Sequence, residues 1–172
     1  MTETVAVAAG LSLTDPRVVR AIELVWREAA VLDAKDYGTW QGLYSEDAVY
    51  VIPIDRHAES FDDILNMVFD DARMRRLRVA RMTEGFAIAA VDAATTARTV
   101  SRFVPTAVSD DEVSLRAAQV LVAYKRGSHD LWAGDLDHVI RLGATPAEDR
   151  IVRKVVRLVD AADAVPAAGF LL

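Results

Sequence analysis

The sequence predicts an α+β domain in which N-terminal helices cover one face of a curled antiparallel sheet. Apolar residues in the first half recur at helical spacing, as in Val18, Ile22, Val25 and Leu32. The second half contains four long runs with apolar residues near every second position, separated by short polar turn signals. Because short turns join antiparallel neighbours, these runs predict a meander. Helices first and strands second indicate the α+β class.

The helices have recognisable starts. The triplet TDP at 14–16 supplies a cap and a proline suited to the first turn, so we expect a helix over 15–34. Asp36 is expected to cap a shorter helix that ends near Ser45. A third helix is expected over 71–82, where acidic residues stand at its positive N-terminal end.

The strands follow from β-branched and aromatic residues bounded by turn residues. Residues 48–54 read AVYVIPI and predict a strand, and 63–70 is interpreted as an extended segment after a polar loop. GSHD is interpreted as the turn before the third of the long runs. The four long strands are expected at 95–108, 112–126, 131–143 and 150–161.

The totals favour one soluble domain. A chain of 172 residues is most simply a single domain, which we place at 14–172 after a flexible arm at 1–13. No cysteine is present, which excludes disulfides and thiolate metal sites and fits a reducing cytoplasm. Glu3 stands where a signal peptide carries a basic residue, and no apolar run is long enough to span a bilayer.

An arginine run stands out in this acidic chain. Residues 73–81 contain five arginines, although the net charge is −6. The run lacks aromatic residues and has acids beside it, so nucleic-acid binding is not expected. Two interpretations stay open, a solvated charged face and a contact surface for another protein. Met74, Leu77, Arg78 and Arg81 share the 3–4 spacing of one helical face.

The histidines do not predict a metal site. A non-haem iron centre requires two histidines and a carboxylate. His129 and His138 flank one predicted hairpin strand and are nine residues apart, and an odd separation in an unbroken strand places the two rings on opposite faces. His57 lies in a predicted loop. No metal site is therefore expected.

Carboxylates and tyrosines near the first two helices suggest an alternative chemistry. Asp36, Tyr37, Tyr44 and Asp47 are close in sequence, and His138 shares the strand face of Trp132, Gly134, Leu136 and Ile140. A carboxylate in a cavity could act as a general base, with a tyrosine donating to an oxyanion. A structural interpretation competes with it: Asp36 caps a helix, Asp47 begins a strand, and the tyrosines and His138 belong to the core.

Several stretches resemble the small (β) subunit of aromatic-ring-hydroxylating dioxygenases. They are EAAVLDAKDYGTWQGLYSEDAVYVIP at 28–53, NMVFDDARMRRLRVARM at 66–82, VLVAYKRG at 120–127 and RKVVRLVDAADAVPAAGFLL at 153–172. The first two are the most specific. Together, the resemblance covers nearly the whole chain after about residue 14.

This resemblance implies a fold, a role and partners. The expected fold is a nuclear transport factor 2-like cone, with N-terminal helices packed on a strongly curved antiparallel or mixed sheet. The expected role is non-catalytic: a structural subunit for aromatic compound catabolism, in an α3β3 assembly with a small-subunit trimer. The Rieske cluster and the mononuclear iron would belong to the large (α) subunit, and this cysteine-free chain cannot ligate a Rieske cluster. Arg73, Arg76 and Arg81 are implied to be inter-subunit or structural contacts.

An enzyme on the same cone is the alternative. It would be a free-standing isomerase, dehydratase or cyclase, and it would use Asp36 or Asp47 with Tyr37, Tyr44 or His138. The two hypotheses differ in whether the cone encloses an accessible site that brings these side chains together.

Overall fold

The computed structural model describes residues 11–84, 94–163 and 169–172. Its helices are α1 (Pro16–Asp33), α2 (Tyr37–Gly42) and α3 (Ala72–Thr83). Its strands are β1 (Tyr44–Pro53), β2 (Asn66–Asp70), β3 (Thr95–Val108), β4 (Glu112–Lys125), β5 (Ser128–Arg141) and β6 (Arg150–Leu158). A 3₁₀ turn at Pro146–Glu148 precedes β6.

The six strands form one mixed sheet, in the order β2-β1-β6-β5-β4-β3. The predicted meander of β3 to β6 is confirmed, since each consecutive pair is antiparallel. β1 joins it parallel to β6, and β2 adds an antiparallel edge. The expected α+β class and curved mixed sheet are therefore confirmed, whereas the division at residue 13 stays a prediction because residues 1–10 lie outside the described part.

Each helix begins at a side-chain cap. Asp15 accepts a hydrogen bond from the Arg17 amide at 2.9 Å, and Asp36 accepts one from the Thr39 amide at 3.1 Å. At the start of α3, Asp71 accepts from the Met74 amide at 2.8 Å. These caps satisfy amides that lack helical partners, which is why the sequence places the helix starts within two residues.

Two strands, β1 and β5, begin earlier than the sequence predicts, whereas β2 begins three residues later and β6 ends three residues earlier. β5 begins at Ser128 rather than at 131, because Arg126 and Gly127 alone make the turn, with φ of 51° and 82°. Two consecutive positive φ values are typical of a two-residue hairpin, and the polar residues after it continue as strand. β1 begins at Tyr44, because α2 already ends at Gly42 and Tyr44 pairs with Ile151 of β6.

The core lies between the helices and the concave face of the sheet. Alternate residues of β4 and β5 are buried, among them Leu115, Leu121, Leu136 and Ile140. α1 covers β3, where the Trp26 indole donates to the Val100 carbonyl at 3.0 Å. Residues 170–172 are also buried inside this core, so a segment far along the chain helps to fill the cone.

The close approach of β5 and β6 makes Gly134 a sensitive position. A Cβ added there would lie 2.6 Å from the main-chain oxygen of Arg157, a backbone atom that cannot move aside. We expect Gly134→Ala to lower the free energy of unfolding by ~1–3 kcal/mol through overpacking. Urea denaturation followed by circular dichroism measures this loss.

Gly42→Ala is the matched control. A Cβ at Gly42, the last residue of α2, meets no atom within 4 Å. We expect this substitution to be neutral or to stabilise by up to ~1 kcal/mol, because alanine lowers the chain entropy cost of helix formation. Equal losses at both glycines would contradict the proposed strand contact.

Candidate functional site

A buried carboxylate, Glu28, lies at the centre of the cone. Its side chain is 2% exposed, although α1 is otherwise apolar on this side. Lys154 of β6 approaches one carboxylate oxygen with its Nζ at 3.1 Å, and His138 of β5 approaches the other with Nε2 at 3.4 Å. One helix and two strands therefore meet at a single charged group.

Two aromatic side chains complete the shell of Glu28. Tyr44 donates its hydroxyl at 2.6 Å, and the Trp40 indole donates Nε1–H at 2.9 Å. Their rings contact each other edge to face at a centroid distance of 5.0 Å. With Lys154 and His138, four side chains converge on this carboxylate, and this set is called the Glu28 cluster below.

The hydrogen-bond pattern defines protonation states. Burial alone would raise the pKa of Glu28, but Lys154, His138 and Tyr44 outweigh burial and hold that pKa well below its usual range. An ionised carboxylate only accepts hydrogen bonds, so His138 carries its proton on Nε2. Burial lowers the pKa of His138 and keeps the ring neutral, with the buried Nδ1 lacking a hydrogen-bond partner.

The pKa values of Tyr44 and Lys154, the two other titratable groups of the cluster, are also shifted. Burial raises the pKa of the Tyr44 hydroxyl well above its usual value, and the Glu28 charge adds to this effect. Burial lowers the pKa of Lys154, although the adjacent Glu28 favours its charged form. The result is a buried ion pair with neutral donors around it, an arrangement that is stable only with its hydrogen bonds satisfied.

Residues 171 and 172 occupy the space beside this cluster. The main-chain oxygen of Leu172 accepts from Lys154 Nζ at 2.9 Å and from the Tyr50 hydroxyl at 3.0 Å. Arg98 donates to the Leu171 carbonyl at 3.0 Å and also binds Asp33 of α1. Lys154, Tyr50 and Arg98 therefore bind the main chain of residues 171 and 172.

The structure does not bring the five residues of the catalytic alternative together in one site. Asp36 is exposed and caps α2, and hydrogen bonds from Thr39 lower its pKa. Asp47 is exposed and is paired with Arg141 at 3.0 Å. Tyr37 is buried in the core, whereas Tyr44 and His138 meet at Glu28. The five candidates therefore lie at separate places, and only two share a partner.

Two cavities are lined by described residues. A pocket of about 200 Å³ has Tyr50, Arg78, Trp132 and Leu172 in its wall. A larger cleft of about 460 Å³ lies on the outer face of the sheet. Neither wall contains any of the five catalytic candidates. Among the residues described, no group of three or more His, Asp or Glu side chains could hold a metal ion.

The arginine run divides between the interior and the surface. Arg75 is 2% exposed, and its guanidinium binds the carbonyls of Ser45 and Ala48, where the pairing of β1 with β6 is irregular. These carbonyls lie off the strand ladder, and Arg75 satisfies them. Arg78 is half-buried and forms a two-bonded ion pair with the buried Asp70. Both arginines are structural.

The buried face of α3 is not the face on which the sequence spacing places Met74, Leu77, Arg78 and Arg81. Arg75 and Val79 are the buried residues, whereas Leu77 is 45% exposed. The reason is local: α3 faces the unpaired carbonyls of β1, which favour a guanidinium over an apolar side chain. Three arginines of the run are exposed, namely Arg73, Arg76 and Arg81. Of these, Arg76 pairs with Glu46 at 3.2 Å.

Sequence reasoning missed Glu28 and Lys154, although both had a signal. Glu28 is three residues after Val25 and four before Leu32, which places an acid on the apolar stripe of α1. Lys154 shares the inward face of β6 with Val156 and Leu158. One buried acid and one buried base on facing elements indicate an ion pair.

Glu28→Gln tests the buried pair. The substitution keeps the shape but leaves the Lys154 ammonium buried without a counter-charge, so we expect a loss of ~3–5 kcal/mol in the free energy of unfolding. The double variant Glu28→Gln/Lys154→Met removes both charges and should lose less than the sum of the single variants. Strictly additive losses in urea denaturation would contradict the pair.

His138 gives the cluster a pH signature. The unfolded chain binds a proton near pH ~6.5, whereas the folded ring, with its lowered pKa, resists protonation. Below that pH the unfolded state holds more protons, so the free energy of unfolding should fall by up to ~1.4 kcal/mol per pH unit. His138→Gln should flatten this slope between about pH 7 and 5.5, and an unchanged slope would contradict the assignment.

Comparison with known proteins agrees with this fold. A family model described as "Ring hydroxylating beta subunit" matches residues 27–162. The small oxygenase component of the p-cumate 2,3-dioxygenase system of Pseudomonas putida is 32% identical over 135 residues, which are 77% of this chain and 73% of the relative.

Solved structures show the same architecture. The β subunit of benzoate 1,2-dioxygenase from Burkholderia mallei superposes with a TM-score of 0.71 at 21% identity, covering 94% of this chain and 100% of that one. A chain of naphthalene 1,2-dioxygenase, solved with indole in the active site, superposes with a TM-score of 0.74 at 15% identity, covering 90% and 84%. The chain has the nuclear transport factor 2-like cone fold, and it belongs to the family of ring-hydroxylating dioxygenase β subunits.

Proposed function

We propose that this chain is a non-catalytic, structural small subunit that supports the large subunit of an aromatic-ring-hydroxylating dioxygenase. The observation that carries this role is the saturated hydrogen bonding of Glu28 inside the cone. Glu28, the one carboxylate in the cluster, is ionised and surrounded by donors, and residues 170–172 fill the adjacent space. The cluster therefore stabilises the fold and offers no accessible base.

The family relationship supports a large-subunit partner. The p-cumate relative is named as the small oxygenase component of a dioxygenase system, and that name implies a larger component beside it. We extend this pairing to the present chain and propose an α3β3 assembly with a trimer of small subunits. A cytoplasmic location stays a prediction from the cysteine-free composition.

Both metal centres of the oxygenase are assigned to the large subunit. A Rieske cluster is bound by two cysteines and two histidines, and this chain has no cysteine. A mononuclear iron site requires two histidines and a carboxylate. His57 and His129 are exposed, whereas His138 is buried against Glu28, so these rings are not positioned as one ligand set.

The exposed side of α3 is proposed as a contact surface for a neighbouring subunit. Arg73, Arg76 and Arg81 are exposed, and Arg76 makes a surface ion pair with Glu46, whereas Arg75 and Arg78 bind groups of the chain's own interior. Arginine suits this purpose because its planar guanidinium binds carboxylates through two bonds and its stem covers apolar surface. This division supports the interpretation of α3 as a docking helix over that of a solvated face.

No described geometry favours a free-standing isomerase, dehydratase or cyclase. Such an enzyme would need Asp36 or Asp47 beside Tyr37, Tyr44 or His138, and both aspartates lie at the surface in structural roles. It would also need a cavity that reaches these groups. The two cavities described above do not.

Affinity purification of the tagged chain from its own cells tests the proposal. We expect a large complex whose second component contains cysteine and whose absorption spectrum is of the Rieske type. The double variant Asp36→Ala/Asp47→Ala should assemble equally well, with only ~1 kcal/mol of stability lost per helix cap removed. A colourless, partner-free species would contradict the small-subunit role.

A further inference from the structure

The outer face of the sheet carries a charged cleft, in which Arg157 also holds the loop after β1 by donating to the carbonyls of Arg56 and Ala58. The cleft measures about 460 Å³ and lies between β3, β4, β5 and the loop after β1. Four arginines line it, and each belongs to a different element: Arg56, Arg102, Arg116 and Arg157. This set of residues, with the aspartates between them, is called the arginine cleft below.

The aspartates of β5 organise the arginine cleft. Asp135 binds Arg56 at 3.0 Å and also Arg102, whereas Asp137 binds Arg116 at 3.2 Å and Arg157 at 2.7 Å. Two carboxylates thus serve four guanidinium groups, which leaves two positive charges in the network uncompensated. Glu59 also lines the cleft and offsets one of them. The cleft is therefore a pre-organised cationic site on a chain of net charge −6.

Arg102 reaches the arginine cleft through an irregular backbone. The pairing of β3 with β4 shifts between Ser101 and Val104, and Arg102 adopts a left-handed φ of 54°. Phe103 packs against Trp26 of α1 at a centroid distance of 5.6 Å. Bulges with unusual backbone angles re-aim side chains and concentrate at functional positions. Here the bulge holds a guanidinium that is 66% exposed.

An exposed apolar patch continues the same outer face. Paired residues of antiparallel strands lie on one side, so Val120 and Val122 share the face of Arg116, and Leu131 shares that of Asp135. Leu131 is 68% exposed, and Tyr124 is 46% exposed. Apolar residues flanked by arginine and tyrosine are typical of a protein interface.

The β3–β4 turn offers a complementary acidic surface. Residues 109–112 read SDDE, and the Asp110 side chain is fully exposed. Among the residues that the structure describes, it has one ion pair, a long contact of 3.6 Å to Arg17, which is itself bound to Asp15. An acidic turn that projects into solvent can therefore enter a cationic cleft on another molecule.

We propose that the arginine cleft binds the acidic β3–β4 turn of a second copy of this chain, with the adjoining apolar patch buried in the contact. This inference rests on the small-subunit trimer of the proposed function and assigns its contact surface. Cleft and turn are different surfaces, so the contact is head-to-tail and closes into a ring when the rotation permits. The excess positive charge of the cleft and the acidity of the remaining surface favour this occupant.

Sedimentation velocity of the purified chain over a range of concentrations tests the contact. We expect the wild-type chain to associate, and Arg102→Glu/Arg116→Glu to weaken association at least ~30-fold, because a like-charged turn then faces the cleft. The Arg102 side chain is 66% exposed and the Arg116 side chain 44% exposed, so circular dichroism should show an intact fold. Adding Asp110→Arg/Asp111→Arg to the same chain reverses both surfaces and should restore most of the association.

Arg27→Glu is the matched control, because Arg27 is exposed on α1, in the helical layer, and should leave association unchanged. A wild-type chain that stays monomeric up to its solubility limit would overturn the inference. Failure of the charge swap to restore association would also overturn it. So would a cleft variant that associates normally yet loses the large subunit, because the cleft would then bind that partner instead.

The failures of the two proposals are distinguishable. Association without a large subunit in the affinity purification would sustain the self-contact and contradict the oxygenase role. Conversely, the large subunit could co-purify while the cleft variants leave self-association unchanged. That result would sustain the oxygenase role and contradict the self-contact.

Discussion

The ion pair between Glu28 and Lys154 is the interaction on which the cone depends. Removing two charges from water is costly, and their attraction offsets that cost only when the remaining hydrogen bonds are satisfied. Here Tyr44 and Trp40 satisfy the carboxylate, and the Leu172 carbonyl satisfies the ammonium. Through one charged group, both N-terminal helices, three strands and residue 172 are fixed relative to each other.

The same cluster explains why this cone is interpreted as structural. An ionised Glu28 surrounded by donors is a poor base, and the adjacent space holds residues 170–172. A cone that binds a ligand needs that space open. The chain instead presents its distinctive chemistry outside: the exposed arginines of α3, and the arginine cleft and apolar patch on the outer face. We propose these as surfaces that contact other subunits.

Much of the fold follows from the sequence, because the dominant signals are local. The helix starts depend on Asp15, Asp36 and Asp71, and the meander depends on alternating burial between short turns. The errors in two strand starts have different causes, one distant and one local. β1 begins early because Tyr44 pairs with β6, and β5 begins early because two residues suffice for its turn.

The interior was less predictable for a physical reason. A charged residue on an apolar face is a weak signal until its partner is known, and Glu28 and Lys154 are 126 residues apart in sequence. Arg75 is a similar case. It is buried because its guanidinium binds the carbonyls of Ser45 and Ala48, and the residue pattern of α3 does not indicate that contact. His138 was placed correctly on the inward face because alternation along one strand is a local property.

The central claim is that the cone interior stabilises the subunit and takes no part in the chemistry. The most direct test is the rate of ring hydroxylation per assembled oxygenase containing the His138→Gln chain, on an aromatic compound that the wild-type complex oxidises. We predict an unchanged rate per complex, together with lower thermal stability. A large fall in rate with assembly and metal content intact would contradict it and would place His138 in the reaction.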